Sequence, residues 1–143
     1  MRTVRDEAGH HYLLVKESSD ASLVRDPATG AQRHLPNDEL EPVAGESPLV
    51  AAAGGVPAPV RRVLSAVHDD RALGLLVELD ARGPLSVHEL LDAYDLCESD
   101  LHGLLAEFRA AGLVVEADAT GQRGYDATGT TREALAVLAP SSD

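Results

Sequence analysis

The chain has 143 residues, enough for one domain, or one domain with an appendage, and for a real hydrophobic core. Acidic residues outnumber basic ones 24 to 12, a formal charge of −12, and with no Trp, one Phe and three Tyr the core must be aliphatic. One cysteine excludes an internal disulfide; no apolar run reaches membrane length and the first residues, MRTVRDEAGHH, contain no apolar signal region, so the chain reads as cytoplasmic with no membrane partner.

Residues 1–42 read as a small antiparallel β unit. His11 to Lys16 is rich in strand formers, Ser22 to Arg25 is a second strand, and Gln32 to Leu35 returns as a third. Ser18-Ser19-Asp20 and Asp26-Pro27-Ala28-Thr29-Gly30 are the turns between them, the second with proline pre-set for a type I turn and glycine closing it. Three such short strands are not stable alone and need something to pack on. Residues 43–56 read as a linker, broken by Gly54-Gly55 and Pro57, with at most a turn or two of helix from Leu49 to Ala53.

From 57 to 139 the pattern is helical. Val60, Val63, Leu64 and Val67 mark one face of a first helix that has Pro59 in its first turn. Asp69 or Asp70 caps a second, with Leu73, Leu76, Val77 and Leu79 inward and Gly83-Pro84 at its end. Ser86 and Glu89 form a capping box that opens a short helix with Leu90 and Leu91. After the tight turn Asp95-Leu96-Cys97 comes a longer helix with Leu101, Leu105 and Phe108 on one face. Gly112 stands where that helix needs a left-handed cap. Leu113-Val114-Val115 then runs extended, Gly121-Gln122-Arg123-Gly124 turns, Tyr125 starts the return, and Thr131 to Leu138 is a last helix. The tail 140–143 reads as frayed. Shared periodicity puts Leu101, Leu105, Phe108, Leu113 and Val115 in one core with Leu73, Leu76 and Val77.

Helix, capped short helix, turn, longer helix, hairpin and helix resembles the winged helix-turn-helix regulators typified by the multiple-antibiotic-resistance and arsenic-resistance repressors. The resemblance runs from about Ala58 to Leu138. It rests on Leu101, Leu105, Phe108 and Ala111-Gly112-Leu113-Val114, then on the wing Gly121-Gln122-Arg123-Gly124, Tyr125 and Thr128. Ala127 stands where a leucine is usual. The composition and the β-rich front end also look like small winged-helix proteins of haloarchaea. Lysine occurs once, at Lys16, as in an acidic, lysine-poor salt-in halophile. Molar salt screens charges beyond about 3 Å, so a negative net charge then says less about nucleic acid.

The resemblance implies a mainly α fold with small β, a winged helix-turn-helix core plus the N-terminal antiparallel β unit. It also implies double-stranded DNA as partner and a homodimer matching twofold sites. Carried over residue by residue, the base-reading positions are Glu98, Ser99, His102 and Gly103, followed by Ala106 and Glu107 one turn later. Arg or Lys is common there in the family, and none is present. The wing keeps Arg123 at its tip. Arg109 and the adjacent pair Arg61 and Arg62 are the other cations within reach of a DNA backbone from this scaffold. Two functions stay open: a DNA-binding transcriptional regulator or chromatin-associated protein, and a winged-helix module whose acidic helix, with Glu98, Asp100 and Glu107, holds a protein partner instead.

No zinc spacing joins the histidines: His10-His11, His88 with Asp92, and Cys97 with His102 each fall short of four ligands. Cys97 reads as a small residue at a helix start, with redox sensing as the alternative. There is no phosphate loop and no nucleophile–base pair, and Asp69-Asp70 and Asp38-Glu39 read as a cap and a solvated loop. The chain is therefore read as a non-enzyme without metal or cofactor. The apolar residues Val60, Val63, Leu64, Val67, Leu135, Val137 and Leu138 exceed what a small domain needs, which is the second ground for expecting a homodimer.

Overall fold

The computed structural model describes residues 1–139; the expected tail at 140–143 lies outside them. The chain divides into two compact units, one from Met1 to Pro57 and one from Ala58 onward. The described residues are mixed α/β, with six α-helices and two antiparallel sheets.

The first unit is larger than the three strands expected. It contains β1 (Arg2–Arg5), β2 (His11–Lys16), β3 (Ala21–Arg25), β4 (Gln32–Pro36), β5 (Glu41–Pro42) and the helix α1 (Pro48–Ala53). The sheet order is β4-β3-β2-β1-β5. β1 escapes a composition reading because Arg2 and Arg5 flank its two apolar-facing residues, Thr3 and Val4. Its hairpin to β2 turns where Asp6 Oδ1 accepts the His10 N–H at 2.9 Å and Gly9 takes a positive φ. The turn from β3 to β4 is the expected one: Asp26 Oδ1 accepts the Ala28 N–H at 2.8 Å and Gly30 has φ +75°. Register places Val4 opposite Tyr12 and Leu14 opposite Val24 on one face, and Thr3 opposite Leu13 on the other. Val4, Tyr12 and Val24 form a small buried core, with Leu14, Leu35 and Leu40 against it.

Residues 43–56, expected as a linker, belong to this unit. The Val43 N–H donates to the Thr3 carbonyl at 3.0 Å. α1 packs on β1 and β2 and buries Ala51. Ser47 caps it through the Leu49 N–H at 3.2 Å, and Pro48 occupies its first turn.

The second unit runs α2 (Ala58–Ala66), α3 (Asp70–Arg82), β6 (Leu85–Ser86), α4 (Val87–Tyr94), α5 (Glu98–Ala110), β7 (Val114–Ala119), β8 (Gln122–Ala127) and α6 (Gly129–Leu138). Sequence reading omitted β6, two residues that pair Leu85 with Tyr125 and Ser86 with Gly124 and complete a sheet of order β6-β8-β7. Gly124 is required there, because a Cβ would stand 2.4 Å from the Leu85 carbonyl oxygen. Caps follow the sequence. Asp69 accepts the Ala72 N–H at 2.8 Å, and Ser86 and Glu89 form the full capping box that starts α4. α5 ends in a Schellman motif: Leu113 N–H donates to the Phe108 carbonyl at 2.8 Å, Gly112 N–H to the Arg109 carbonyl at 3.0 Å, and Gly112 has φ +74°.

Leu101, Leu105, Phe108 and Leu113 are buried with Leu76, Leu79 and Leu90. Three residues expected in this core are placed otherwise. α3 turns Ala72, Leu75, Leu76 and Leu79 inward, which leaves Val77 39% exposed and Leu73 only partly buried. Val115 is 49% exposed, because strand alternation buries Val114 and sends its neighbour to the opposite face. No helix among the described residues is long and apolar enough to cross a membrane.

Candidate nucleic-acid interface

α5 is positioned by its own apolar stripe. With Leu101, Leu105 and Phe108 locked inward, Glu98, Ser99, His102 and Gly103 on the first two turns face solvent. The helix start is capped by backbone geometry at Cys97, whose side chain makes no cap hydrogen bond; its Sγ lies 3.5 Å from Ser99 Oγ. His102 Nε2 is 3.6 Å from Glu98 Oε1, one turn back. Asp100 is 3.5 Å from Arg71 Nη2 of α3. Ser99, Asp100, Gly103 and Glu107 share an open cleft of about 310 Å³ with Asp69 and Arg71. A Cβ on Gly103 would meet nothing within 4 Å, so this glycine is not demanded by packing.

The wing is a two-residue hairpin. Its turn is Thr120-Gly121, with φ +52° and +80°, and β7 and β8 pair in register from Val114–Ala127 to Ala119–Gln122. Arg123 was expected at the tip, in a turn from Gly121 to Gly124. It is instead the second residue of β8, opposite Asp118. The shift follows from Ala117, Asp118 and Ala119, which extend β7 despite weak strand propensity because they pair fully with β8.

The arginines are brought together in a way the sequence reading missed. Arg109 Nη1 donates to Glu116 Oε1 at 3.0 Å, and Arg123 Nη2 donates to the same oxygen at 2.8 Å. Arg123 also donates to Tyr125 Oη at 3.3 Å. The Tyr125 hydrogen bond, and after it the Glu116 bond, raise the Arg123 pKa above its ordinary value. Glu116 was legible in principle. Once the turn is set at Thr120-Gly121, Glu116 faces Tyr125 and lies diagonal to Arg123 on the same face.

The basic pair on α2 divides. Arg62 Nη1 donates to the Ala111 carbonyl at 3.3 Å and thus serves the C-terminal end of α5. Arg61 is exposed, and its carbonyl accepts from Ser65 Oγ at 3.0 Å. Ser99, His102 and Gly103 therefore form one group at the start of α5, and Arg109 and Arg123 another around Glu116 at its far end.

Besides His102, three of the six histidines sit in surface pairs with carboxylates: His88 with Asp92 at 3.1 Å, His10 with Asp26 at 3.3 Å and His11 with Glu46 at 3.1 Å. Among the described residues no three His, Cys, Asp or Glu side chains are grouped to hold a metal ion.

No curated protein matches the chain. Among solved structures it is similar to reduced HlyU from Vibrio cholerae N16961, with 28% identity and a TM-score of 0.47, over 59% of this chain and 92% of that one. Residues 1–139 match the model of a family of unknown function (DUF7346), and the chain belongs to that family.

Proposed function

We propose that the second unit is a winged helix-turn-helix that binds double-stranded DNA as a transcription regulator or chromatin-associated protein, with α5 as recognition helix and the β7–β8 hairpin as wing. In this reading the DNA-binding domain is 57–139, with the N-terminal β unit appended to it. One observation carries it: the order α2, α3, β6, α4, α5, β7, β8, α6 with sheet order β6-β8-β7 leaves the first two turns of α5 solvent-facing. Ser99 and His102 there are hydrogen-bonding groups, and Gly103 lets the helix approach closely.

A second reading is favoured by the charges. The exposed face of α5 carries Glu98, Asp100 and Glu107, while Arg62 is bonded to a backbone carbonyl and Arg109 and Arg123 to Glu116. Such a face suits a basic protein partner. A homodimer fits either reading, since α2 packs on α6 while Leu64, Val137 and Leu138 remain exposed. Sedimentation in molar salt tests it: only monomer at tens of micromolar would remove the dimer. A genome-wide crosslinking map at native salt separates the two functions. Discrete peaks support the regulator; no enrichment over input supports the protein-binding module.

A further inference from the structure

We propose that Glu116 is an internal counterion that competes with nucleic-acid phosphate for Arg109 and Arg123, and so sets the strength and salt dependence of wing binding. The inference rests on the DNA reading above.

Two guanidiniums from different elements, the last turn of α5 and the second residue of β8, converge on one carboxylate oxygen at 3.0 and 2.8 Å. One negative charge thus serves two positive ones, and the group keeps a net charge of about +1 on a chain of net −12. The side chains of Arg109, Arg123 and Glu116 are 57%, 70% and 41% exposed. Pairs this open to solvent are weakly held and exchange readily. A phosphate offers the same acceptor geometry to a guanidinium as a carboxylate does. The Tyr125 Oη bond at 3.3 Å keeps Arg123 against β8 while its other partner changes.

When both arginines move from Glu116 to phosphates, DNA releases about two counterions but the bared carboxylate takes one cation back. The wild-type salt dependence is therefore shallower than the number of phosphates contacted. Glu116→Gln keeps a carbonyl acceptor of the same shape and removes the competing charge.

The test measures binding of a fluorescein-labelled mixed-sequence DNA duplex to the full chain across a KCl series. It compares wild type, Glu116→Gln and Asp118→Asn. Asp118→Asn removes the same charge from the residue directly opposite Arg123 but breaks no ion pair with either arginine, so it controls for local as well as net charge. Glu116→Gln is expected to bind about tenfold tighter at moderate salt, with a slope steeper by about one, the cation that the carboxylate no longer takes back. Asp118→Asn is expected to change little. Adding Arg109→Ala and Arg123→Ala should abolish the gain from Glu116→Gln.

Equal effects of the two carboxylate variants would reduce the result to negative charge on the wing in general and overturn the proposal. So would an unchanged Glu116→Gln when wild type binds, which leaves the DNA reading intact. No binding by any variant at any salt would overturn the DNA reading itself, and this inference with it. Should Glu116→Gln fail a thermal-melt check of folding, Glu116→Asp, which draws the carboxylate back by one methylene, is expected to shift affinity and slope in the same direction by less.

Discussion

Thr131 Oγ1 donates to the carbonyl of Leu113 at 2.6 Å, with the Thr131 side chain fully buried. The same carbonyl accepts the Thr128 N–H at 3.1 Å, and Thr128 Oγ1 donates to the Gly112 carbonyl at 2.7 Å. Two threonines at the start of α6 thereby fasten the point where α5 ends and the wing begins. Thr128 is also the N-cap of α6, its Oγ1 accepting the Thr131 N–H at 3.5 Å. Thr131→Val keeps the shape and removes one hydroxyl, while the carbonyl keeps its second donor. The expected cost is about 1 kcal/mol, the net worth of one buried hydrogen bond, and Thr131→Ser should recover most of it. Denaturant titration checks both.

Phe108 is the largest fully buried side chain, and Phe108→Ala is expected to cost about 3–5 kcal/mol. Val115→Ala, on the outward face of β7, is expected to cost under about 0.5 kcal/mol. The contrast tests the register of the wing: similar costs for the two changes would mean that β7 is turned over.

That contrast also marks what the sequence made legible. The helices, their caps and the left-handed Gly112 were readable because each rests on a local rule of spacing or capping. Val115 and Val77 were misplaced because an apolar run does not say which member a strand or helix turns inward; partners across the core decide it. β5 and β6 were missed because two residues carry no period and their pairing is long-range, and β1 because Arg2 and Arg5 flank its two buried residues, although its hairpin to β2 is local. Within the candidate site, Ser99, His102 and Gly103 were legible from α5 alone. The grouping of Arg109 and Arg123 needed the position of the turn, which rests on Thr120 adopting the left-handed region usually left to glycine or asparagine.

The first unit carries a pH dependence with a definite sign. The Asp26 carboxyl is held below its ordinary 3.8 chiefly by the Ala28 N–H at 2.8 Å, against an opposing effect of desolvation, with His10 at 3.3 Å lowering it further. A depressed carboxylate contributes stability fully above its unfolded pKa and loses it as pH falls through the folded one. The contribution should therefore be intact above about 3.8 and fade below it. Asp26→Asn keeps an acceptor for the turn but does not titrate, so it should flatten the acid limb of the stability curve. An NMR titration placing the Asp26 midpoint at or above 3.8 would contradict this account.

Gly103 offers the sharpest test of α5 as a groove-reading helix. It lies mid-helix on the solvent-facing side, and a Cβ there would touch nothing. Gly103→Ala should therefore stabilise the chain by about 0.5–1 kcal/mol, because alanine loses less backbone entropy in a helix. Gly74 on α3 is a matched control: it too is helical, exposed and free of steric demand. Gly74→Ala should give the same gain in stability. The two should differ in binding. If the first turns of α5 approach base edges, the new methyl at Gly103 intrudes on that approach, and affinity for a genomic site should fall several-fold while Gly74→Ala leaves it unchanged. A helix used only to hold the wing, or seated on a protein, would not feel the methyl in a DNA assay. Equal DNA affinity for both variants, with both stabilised in a denaturant titration, would remove α5 from the DNA interface.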